Sequence, residues 1–285
     1  MTRASSEKHT VNDTWGAYRL MSRLATTRAF EVWEVEDSRQ HHRFAMKLMQ
    51  PQWSGNRHWV RSLQQEYFVG HQLKHEQVIE TREFGVKDGL AFLVMELFPE
   101  PNLKQWMREV DVSKVPFLSH VVETAAESLQ YLHSRGWVHR DIKPDNFLVG
   151  GEGSVKLIDF TLAKKQPGWL SRMFSSYSKT QGTPSYMSPE QIRNKPQDQR
   201  SDIYSFGCVI FELVTGLPPY SGNTANELLT KHLRSPIPSL KLRNPKINES
   251  FSQVVQQLLS KQPADRPATM DRVIANLANI DIFVP

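Results

Sequence analysis

Residues that could carry out phosphoryl transfer are concentrated in one short stretch of the chain. It reads His139-Arg140-Asp141-Ile142-Lys143-Pro144-Asp145-Asn146, and Asp159-Phe160-Thr161 follows it. Phosphoryl transfer needs a base near the attacking hydroxyl, metal ions on the phosphates and cations that neutralise developing charge. One of these acids alone would be read as a surface charge or a turn residue. The complete set, in this order, indicates a catalytic site.

The first stretch resembles the catalytic loop of protein kinases, H-R-D-x-x-x-x-N, at every fixed position. The resemblance implies that Asp141 orients the acceptor hydroxyl and takes its proton, and that Asn146 binds one Mg²⁺. Asp159 stands in the D-F-G element, where the family binds the other Mg²⁺ between the phosphates. ATP and Mg²⁺ are therefore the expected cofactors, with Mn²⁺ as an alternative metal.

A lysine upstream fits the same family. Phe44-Ala45-Met46-Lys47 resembles the V-A-I-K strand, which implies that Lys47 binds the α- and β-phosphates. A helical segment follows, and its Glu66 stands where kinases place the glutamate that pairs with this lysine. Glu76 and Glu80 lie too far along the chain for that role.

Three further stretches narrow the resemblance to the eukaryotic-like Ser/Thr protein kinases of bacteria, and it covers about 18–277. These stretches are GTPSYMSPE at 182–190, SDIYSFG at 201–207 and DRP at 265–267. In this family the residue at the position of Glu190 forms an ion pair with the residue at the position of Arg266. This pair braces the platform on which the substrate binds. The residue at Asp202 accepts backbone N–H groups of the catalytic loop.

Two positions bear on the acceptor. Lys143 stands where Ser/Thr kinases place a lysine that contacts the γ-phosphate, and Thr183 stands where they bridge that lysine to Asp141. Tyrosine kinases resemble neither stretch. The resemblance thus implies a Ser/Thr protein kinase that transfers the γ-phosphate of Mg-ATP to protein hydroxyls and autophosphorylates its activation segment.

The resemblance also assigns the nucleotide-binding positions. The family sandwiches the adenine ring between three apolar residues, places a gatekeeper beside it and offers backbone hydrogen bonds from a hinge. Those positions hold Val32, Ala45 and Leu148, then Met95, then Glu96, Leu97 and Phe98. The same residues could also be ordinary members of the hydrophobic core. The two interpretations are compatible, because core side chains line an adenine pocket of this kind.

The loop expected to cover the phosphates departs from the family. Residues 18–33 align without gaps to its glycine-rich strand pair, yet Ala25, Thr27 and Phe30 occupy the three glycine positions. Glycine lets the backbone approach phosphates and flex, whereas Thr and Phe favour a stiffer strand. We expect Ala25 and Thr27 to bind phosphate poorly or in one fixed arrangement, and Phe30 to point into the phosphate space.

Two other positions differ from the family. Thr161 replaces the glycine of D-F-G and is expected to hold the element in one state, because positive φ is costly for Thr. Gly70 lies inside the helix that carries Glu66 and costs about 1 kcal/mol of helix propensity relative to Ala. We expect it to leave a gap and a mobile helix, with Phe160 packed nearby.

The activation segment, 162–188, is basic. It carries Lys164, Lys165, Arg172 and Lys179 and no acidic residue. A phosphate on Ser178 or Thr180 is expected to order it by bonding to Arg140. Its apolar residues recur at helical spacing and predict a short inhibitory helix or a self-association patch; they are Trp169, Leu170, Met173 and Phe174. The alternative is a Ser-rich loop without regulatory use.

Strands are predicted in the first third of the chain and helices afterwards, which defines an α+β class. Strand patterns lie within 18–35, 44–49 and 90–97, and helical patterns at 59–73, 103–110, 115–134, 201–215, 225–233, 251–260 and 269–277. Pro99 and Pro101 interrupt the chain and suggest a connector. We expect a bilobal protein-kinase fold with a small antiparallel-sheet lobe and a larger helical lobe. Its expected parts are a polar tail 1–13, N-lobe and hinge 14–98, C-lobe 99–278 and a tail 279–285.

Composition excludes several classes of protein. The net charge is +5, but no run of Lys and Arg is interleaved with aromatic residues, so nucleic-acid binding is not expected. Cys208 is the single cysteine; it excludes an intramolecular disulfide, fits a reducing compartment and reads as a packed apolar residue. The N-terminus shows no signal peptide, and no apolar run is long enough to span a membrane. A cytoplasmic protein acting on protein substrates is expected.

Two other functions stay open at this point. A pseudokinase would use the fold as a regulatory binding module, but such a domain has no reason to keep all five of Lys47, Glu66, Asp141, Asn146 and Asp159. A small-molecule phosphotransferase can share an H-x-D…N loop. The activation segment and the motifs around Glu190 and Arg266 argue against that alternative.

Overall fold

The chain divides into two compact units, which we describe one at a time. The computed structural model describes residues 9–166 and 182–284. The smaller unit comprises the chain up to Lys74, Ile79–Pro99 and Asp159–Thr161; the larger comprises His75–Val78, Glu100–Ile158 and the chain from Leu162 onward.

The smaller unit is built on an antiparallel sheet. Among the described residues its strands are β1 (Thr14–Trp15), β2 (Tyr18–Thr26), β3 (Phe30–Asp37), β4 (Arg43–Met49), β5 (Thr81–Lys87) and β6 (Leu90–Glu96). They pair in the order β1-β2-β3-β4-β6-β5. The adjacent strands β4 and β6, neither of which is an edge strand, are nearly all buried, as expected for apolar runs that pack on both faces.

One α-helix, α1 (Arg57–Gly70), packs against β5 and β6 of this sheet. It starts at Asn56, whose side chain accepts hydrogen bonds from the backbone N–H groups of His58 and Trp59. Leu63, Glu66, Val69 and Gly70 form its buried face, with the three-to-four-residue spacing of a helix. The one charged residue of that face is therefore Glu66.

The larger unit is mainly helical. Its helices are α2 (Leu103–Glu109), α3 (Leu118–Ser134), α4 (Pro189–Ile192), α5 (Gln199–Thr215), α6 (Ala225–Arg234), α7 (Leu240–Arg243), α8 (Glu249–Leu258) and α9 (Met270–Leu277). Two short antiparallel strand pairs accompany them: β7 (Trp137–Val138) with β10 (Lys164–Lys165), and β8 (Phe147–Val149) with β9 (Val155–Leu157).

Helix α5 forms the core of the larger unit, because every residue from Ser201 to Val214 is buried. Cys208 is fully buried in it, and burial raises the pKa of its thiol, so its prediction as a packed apolar residue is confirmed. The helix ends at Gly216, whose φ of 76° is left-handed and is best suited to glycine.

A buried ion pair joins two distant segments of the larger unit. Arg266 donates from both terminal nitrogens to the two carboxylate oxygens of Glu190, at 2.8 and 3.0 Å. Their side chains are 0% and 6% exposed. Arg266 also donates to the carbonyl oxygens of Arg200 and Ser260, while Ser201 donates to Glu190. The fork geometry and these extra bonds satisfy both charges.

The predicted α+β class, with a sheet-based part followed by a helical part, is confirmed. One local prediction was wrong, and one strand was missed. The helix predicted from Val115 begins only at Leu118, since Pro116 lies before it and residues 112–114 form a separate 3₁₀ turn. Strand β5 was not predicted, because it is largely exposed and Gly85 interrupts it. No helix in the described part of the chain is long and apolar enough to cross a membrane.

The Glu190–Arg266 pair supplies a stability prediction. Arg266→Leu should lower the free energy of unfolding by about 3–5 kcal/mol, because it leaves a buried carboxylate without its partner. Urea unfolding monitored by tryptophan fluorescence measures this. Lys241→Leu removes the cation of the exposed Lys241–Glu249 pair and serves as the control, which should unfold like the wild type. Equal midpoints for Arg266→Leu and the wild type would contradict the prediction.

Candidate active site

Lys47 and Glu66 form a buried ion pair in the smaller unit. Nζ of Lys47, on β4, lies 2.7 Å from Oε2 of Glu66, on α1, and the two side chains are 12% and 5% exposed. Oδ1 of Asp159 lies 3.8 Å from the same Nζ. The structure thus brings together three residues that the sequence proposed for one site.

Electrostatics keep this lysine charged. Burial by itself lowers the pKa of Lys47, but the carboxylates of Asp159 and Glu66 outweigh it and raise that pKa above its ordinary value. Burial raises the pKa of Glu66, and the bonds from Lys47 and Thr161 offset this in part. The two neighbouring carboxylates thus favour the charged form of Lys47, whereas the charged form of Glu66 depends on the donors around it.

The Asp-Phe-Thr element avoids positive φ at its threonine. Positive φ occurs at Asp159, at 65°, and Thr161 is not among the positive-φ residues, as expected for a residue to which that conformation is costly. The left-handed conformation falls on an aspartate, which tolerates it better than a β-branched residue does. The Thr161 amide donates to Oδ1 of Asp159 at 3.2 Å, and the Thr161 hydroxyl donates to Oε2 of Glu66 at 3.2 Å. The Glu66 contact was not predicted.

Gly70 leaves no gap in the packing of helix α1, so the gap expected there from the sequence was wrong. A Cβ at Gly70 would lie 2.7 Å from Cγ2 of Thr81 and 3.4 Å from Cδ2 of Phe160. Thr81 of β5 therefore occupies the space that a larger residue of the helix would need. Phe160 is fully buried beside it. Glycine here permits close packing of α1.

The β2–β3 tip, residues 27–30, closes on itself. The Thr27 amide donates to the Phe30 carbonyl at 2.8 Å, and the Phe30 amide donates to the Thr27 hydroxyl at 3.1 Å. Two-residue hairpin loops usually rely on positive φ, but no residue of this tip has it. The threonine hydroxyl takes the place of the missing backbone bond. Two amide groups of the tip are thereby used within the hairpin.

Side chains from the segment after β4 fasten the same tip. The Gln50 amide donates to the Thr27 carbonyl at 2.6 Å, and the Trp53 indole donates to the Arg28 carbonyl at 3.0 Å. Phe30 is 6% exposed and packs edge-on against Trp59, so its ring is buried within the smaller unit. That it points toward the phosphates stays a prediction. Its ring centroid lies 5.4 Å from Nζ of Lys47. Ala25 lies in β2 opposite Val32.

The positions carried over for adenine lie on several elements. In the smaller unit Ala45 pairs with Met95 across β4 and β6, both are nearly buried, and Val32 is half-buried. The amide of Glu96 donates to the Glu80 carbonyl, and Phe98 follows the end of β6. Leu148 belongs to β8 of the larger unit and is half-buried.

In the larger unit, Asp141 is held through both carboxylate oxygens. Oδ1 accepts from the Thr183 amide at 2.9 Å and from the Thr183 hydroxyl at 3.0 Å. Oδ2 accepts from Nζ of Lys143 at 2.7 Å, and the same Nζ lies 3.2 Å from the Thr183 hydroxyl. The Asn146 side-chain amide donates to the Asp141 carbonyl at 2.8 Å. The structure thus brings these four predicted residues together.

Asp202 holds the loop that carries Asp141. It is 1% exposed and accepts from the amides of His139 and Arg140, at 2.7 and 2.8 Å, and from the His133 ring at 2.9 Å. Burial alone would raise its pKa, but the His133 bond and the nearby donors keep the pKa of Asp202 below its ordinary value. Arg140 has a φ of 71°, so these bonds stabilise a costly conformation.

The guanidinium of Arg140 is partly buried and has both Asp202 and Lys164 nearby. Burial lowers its pKa, opposed by Asp202, and its Nε donates to Gln197 at 2.6 Å. Burial and the nearby Arg140 lower the pKa of Lys164. Within residues 9–166 and 182–284, Nη1 of Arg140 is buried without a hydrogen-bond partner. The contact with Gln197 was not predicted, because no motif marks it.

Several predictions about the activation segment fall on residues 167–181, outside the described part of the chain. They include the phosphosite candidates Ser178 and Thr180 and the apolar residues proposed for a helix or a self-association patch, Trp169, Leu170, Met173 and Phe174.

Asn146 in the larger unit and Asp159 in the smaller unit each carry an oxygen that suits a hard cation. Asn146 uses its amide nitrogen toward Asp141, which leaves its amide oxygen as the atom that could bind a metal. The side chain of Asp159 is 31% exposed. The described residues contain no cluster of three His, Cys, Asp or Glu side chains that could hold a metal ion. Each of these oxygens by itself fits Mg²⁺, which proteins commonly bind through one or two side chains together with substrate phosphates.

Comparison with known proteins agrees with this geometry. The protein kinase domain family model matches residues 27–276. The Ser/Thr-protein kinase PknD of Mycobacterium tuberculosis is 30% identical over 90% of this chain and 38% of its own length. PknH of Mycobacterium bovis is 30% identical over 91% and 43%, and PrkC of Bacillus subtilis is 27% identical over 92% and 40%.

The chain therefore spans about two fifths of the length of these curated relatives. The match nevertheless covers most of the chain itself, and the predicted resemblance to the kinase domains of bacteria is confirmed. The chain belongs to the protein kinase domain family.

Proposed function

We propose that this chain is an active Ser/Thr protein kinase that transfers the γ-phosphate of Mg-ATP to protein hydroxyls. The observation that carries the proposal is the anchoring of Asp141 through both oxygens, by Lys143 and Thr183. A carboxylate held in this way can orient a hydroxyl group and accept its proton. The names of the relatives, all Ser/Thr-protein kinases, support the same function.

In this mechanism Asp141 takes the proton of the acceptor hydroxyl as its oxygen attacks the γ-phosphorus, and the bond to ADP breaks. The ammonium group of Lys143, bonded to Asp141, is available to neutralise charge on the transferring phosphoryl group. Lys47, held by Glu66, binds the α- and β-phosphates. Asn146 would hold one Mg²⁺ and Asp159 the other, and these ions would supply positive charge to neutralise the phosphates.

The binding-module alternative is weaker. A pseudokinase has no use for the ion pair of Lys47 with Glu66 or for the bonds that anchor Asp141, yet both are present. Each buried charge of this kind costs desolvation free energy that a purely structural domain could avoid. We place the reaction in the cytoplasm, where ATP is supplied.

The catalytic roles make a first functional prediction. Asp141→Asn should lower phosphoryl transfer at least about 100-fold, because the general base is lost, while Mg-ATP still binds. Asp159→Asn should weaken Mg²⁺-dependent nucleotide binding itself. Intact mass after incubation with Mg-ATP, together with calorimetry, separates the two effects, and site mapping should find phosphoserine or phosphothreonine.

Asp88→Asn is the control for these variants. Asp88 is exposed and has a φ of 52°, a conformation that Asn also tolerates. It should behave like the wild type. Wild-type turnover in Asp141→Asn, or phosphotyrosine as the main product, would contradict the mechanism.

The closed β2–β3 tip makes a second prediction. ATP should bind only slightly more tightly than adenosine, because the amides of Thr27 and Phe30 are already bonded within the hairpin. Thr27→Gly removes the closing hydroxyl and restores backbone freedom, so it should raise the ratio of ATP to adenosine affinity. Thr26→Gly, one residue away in β2, is the control and should leave that ratio unchanged. A large ratio in the wild type would show the argument wrong.

Regulation by the activation segment is the finer part of this proposal. Arg140 is a partly buried cation near Lys164, with no carboxylate bonded to its guanidinium among the described residues. A phosphate brings about −1.5 to −2 charges and can bond to such a group. Ser178 and Thr180 remain the candidates because they lie just before Gly182-Thr183-Pro184.

Ser178→Ala combined with Thr180→Ala should therefore abolish the gain in activity that follows preincubation with Mg-ATP. Phosphosite mapping and initial rates before and after preincubation measure the effect. Ser171→Ala, farther from Thr183 in the same segment, is the control. Full activation of the double variant would remove this regulatory proposal.

A further inference from the structure

The Thr161 hydroxyl lies within the ion-pair site of the smaller unit. It donates to Oε2 of Glu66 at 3.2 Å, and the same oxygen also accepts a hydrogen bond from Nζ of Lys47 at 2.7 Å. The backbone amide of Thr161 donates to Oδ1 of Asp159, and Oδ1 lies 3.8 Å from Nζ of Lys47. These contacts close a ring of four residues: Lys47, Glu66, Thr161 and Asp159.

This ring contains two carboxylates and one ammonium group, so one negative charge is not balanced within it. The charged form of Glu66 therefore depends on uncharged hydrogen-bond donors such as the Thr161 hydroxyl. Glu66 is almost completely buried, and burial favours its protonated form. A hydroxyl that donates to a carboxylate favours the charged form. If Glu66 were protonated, Lys47 would lose its nearest anionic partner. The Thr161 hydroxyl therefore acts on the position of Lys47 through Glu66.

The same hydroxyl joins two segments of the chain. Glu66 belongs to helix α1, whereas Thr161 belongs to the segment that carries Asp159. A glycine at this position could provide the backbone bond to Asp159 but not the side-chain bond to Glu66. The hydroxyl therefore favours the state in which α1 and the Asp159 segment are both in place.

We propose that Thr161 is a positioning residue, whose hydroxyl holds the Glu66 carboxylate and couples helix α1 to the Asp159 segment. The proposal deepens the proposed kinase function, because Lys47 and Asp159 are the residues assigned there to the phosphates and to the metal. Thr161 itself is assigned no contact with the phosphates or with the metal.

A matched set of variants tests the hydroxyl. Thr161→Val has nearly the same shape without the donor, Thr161→Ser keeps the donor, and Thr161→Gly removes the side chain. Thr81→Val is the control, because Thr81 lies in the same unit near Gly70 and its buried hydroxyl has no hydrogen-bond partner among the described residues. Thermal melting of every variant shows whether the fold is retained.

The main measurement is the pH dependence of binding of a fluorescent Mg-ATP analogue. Removing a donor raises the pKa of a carboxylate, so Thr161→Val and Thr161→Gly should move the acid limb of binding to higher pH. The expected shift is about one pH unit, since a hydrogen bond to a charged group contributes roughly as much as one unit of pKa. Thr161→Ser and Thr81→Val should keep the wild-type limb.

Kinase rates provide a second measurement. At neutral pH, Thr161→Val should lower kcat about tenfold with a smaller change in KM for the protein substrate, and Thr161→Ser should restore it. An unshifted acid limb in Thr161→Val would overturn the proposal, and so would a Thr161→Ser variant that behaves like Thr161→Val. If the wild-type protein transfers no phosphate, the proposed function fails, but the binding measurement still decides the role of Thr161.

Discussion

The buried ion pair of Lys47 and Glu66 is the interaction on which the smaller unit depends. Taking two charges out of water costs several kcal/mol per ion, and only close geometry with further hydrogen bonds offsets that cost. Here the distance is 2.7 Å, and Thr161 and Asp159 supply the further contacts. Helix α1 must present Glu66 on its buried face, and Gly70 on the same face lets the helix lie close to β5. The position of α1 is therefore set by an electrostatic requirement as well as by packing.

The larger unit uses the same kind of constraint in a different form. Asp202 is a buried carboxylate that accepts from two successive amides of the catalytic loop and from His133. Its bonds hold Arg140 at positive φ, a conformation that is uncommon for residues other than glycine. Asp141 follows Arg140 directly in the chain. The backbone that orients the Asp141 side chain is therefore held by Asp202, a residue that takes no part in the proposed reaction. Asp202 itself lies in the buried part of helix α5, Ser201 to Val214.

Much of the site could be predicted because its residues occur in motifs with fixed spacing. Lys47, Glu66, Asp141, Asn146 and Asp159 were all named from the sequence, and the main helices were placed within a few residues. The contacts that could not be predicted come from residues without a motif. Gln50 and Trp53 hold the β2–β3 tip although nothing in their local sequence indicates it. The prediction of a gap at Gly70 was wrong because Thr81 occupies that space, and Thr81 lies on a strand that the sequence pattern did not reveal.

Two positions at which related kinases carry glycine are threonine in this chain, and in both the hydroxyl makes a specific bond. At Thr27 it accepts from the Phe30 amide and closes a hairpin that lacks positive φ. At Thr161 it donates to Glu66, while the positive φ of the element falls on Asp159. Glycine would provide backbone freedom at each place, and freedom carries an entropic cost when one conformation must be kept. A β-branched residue removes that freedom, and its hydroxyl favours one conformation by a hydrogen bond. Each threonine therefore favours one arrangement of its segment through a side-chain hydrogen bond that glycine could not make.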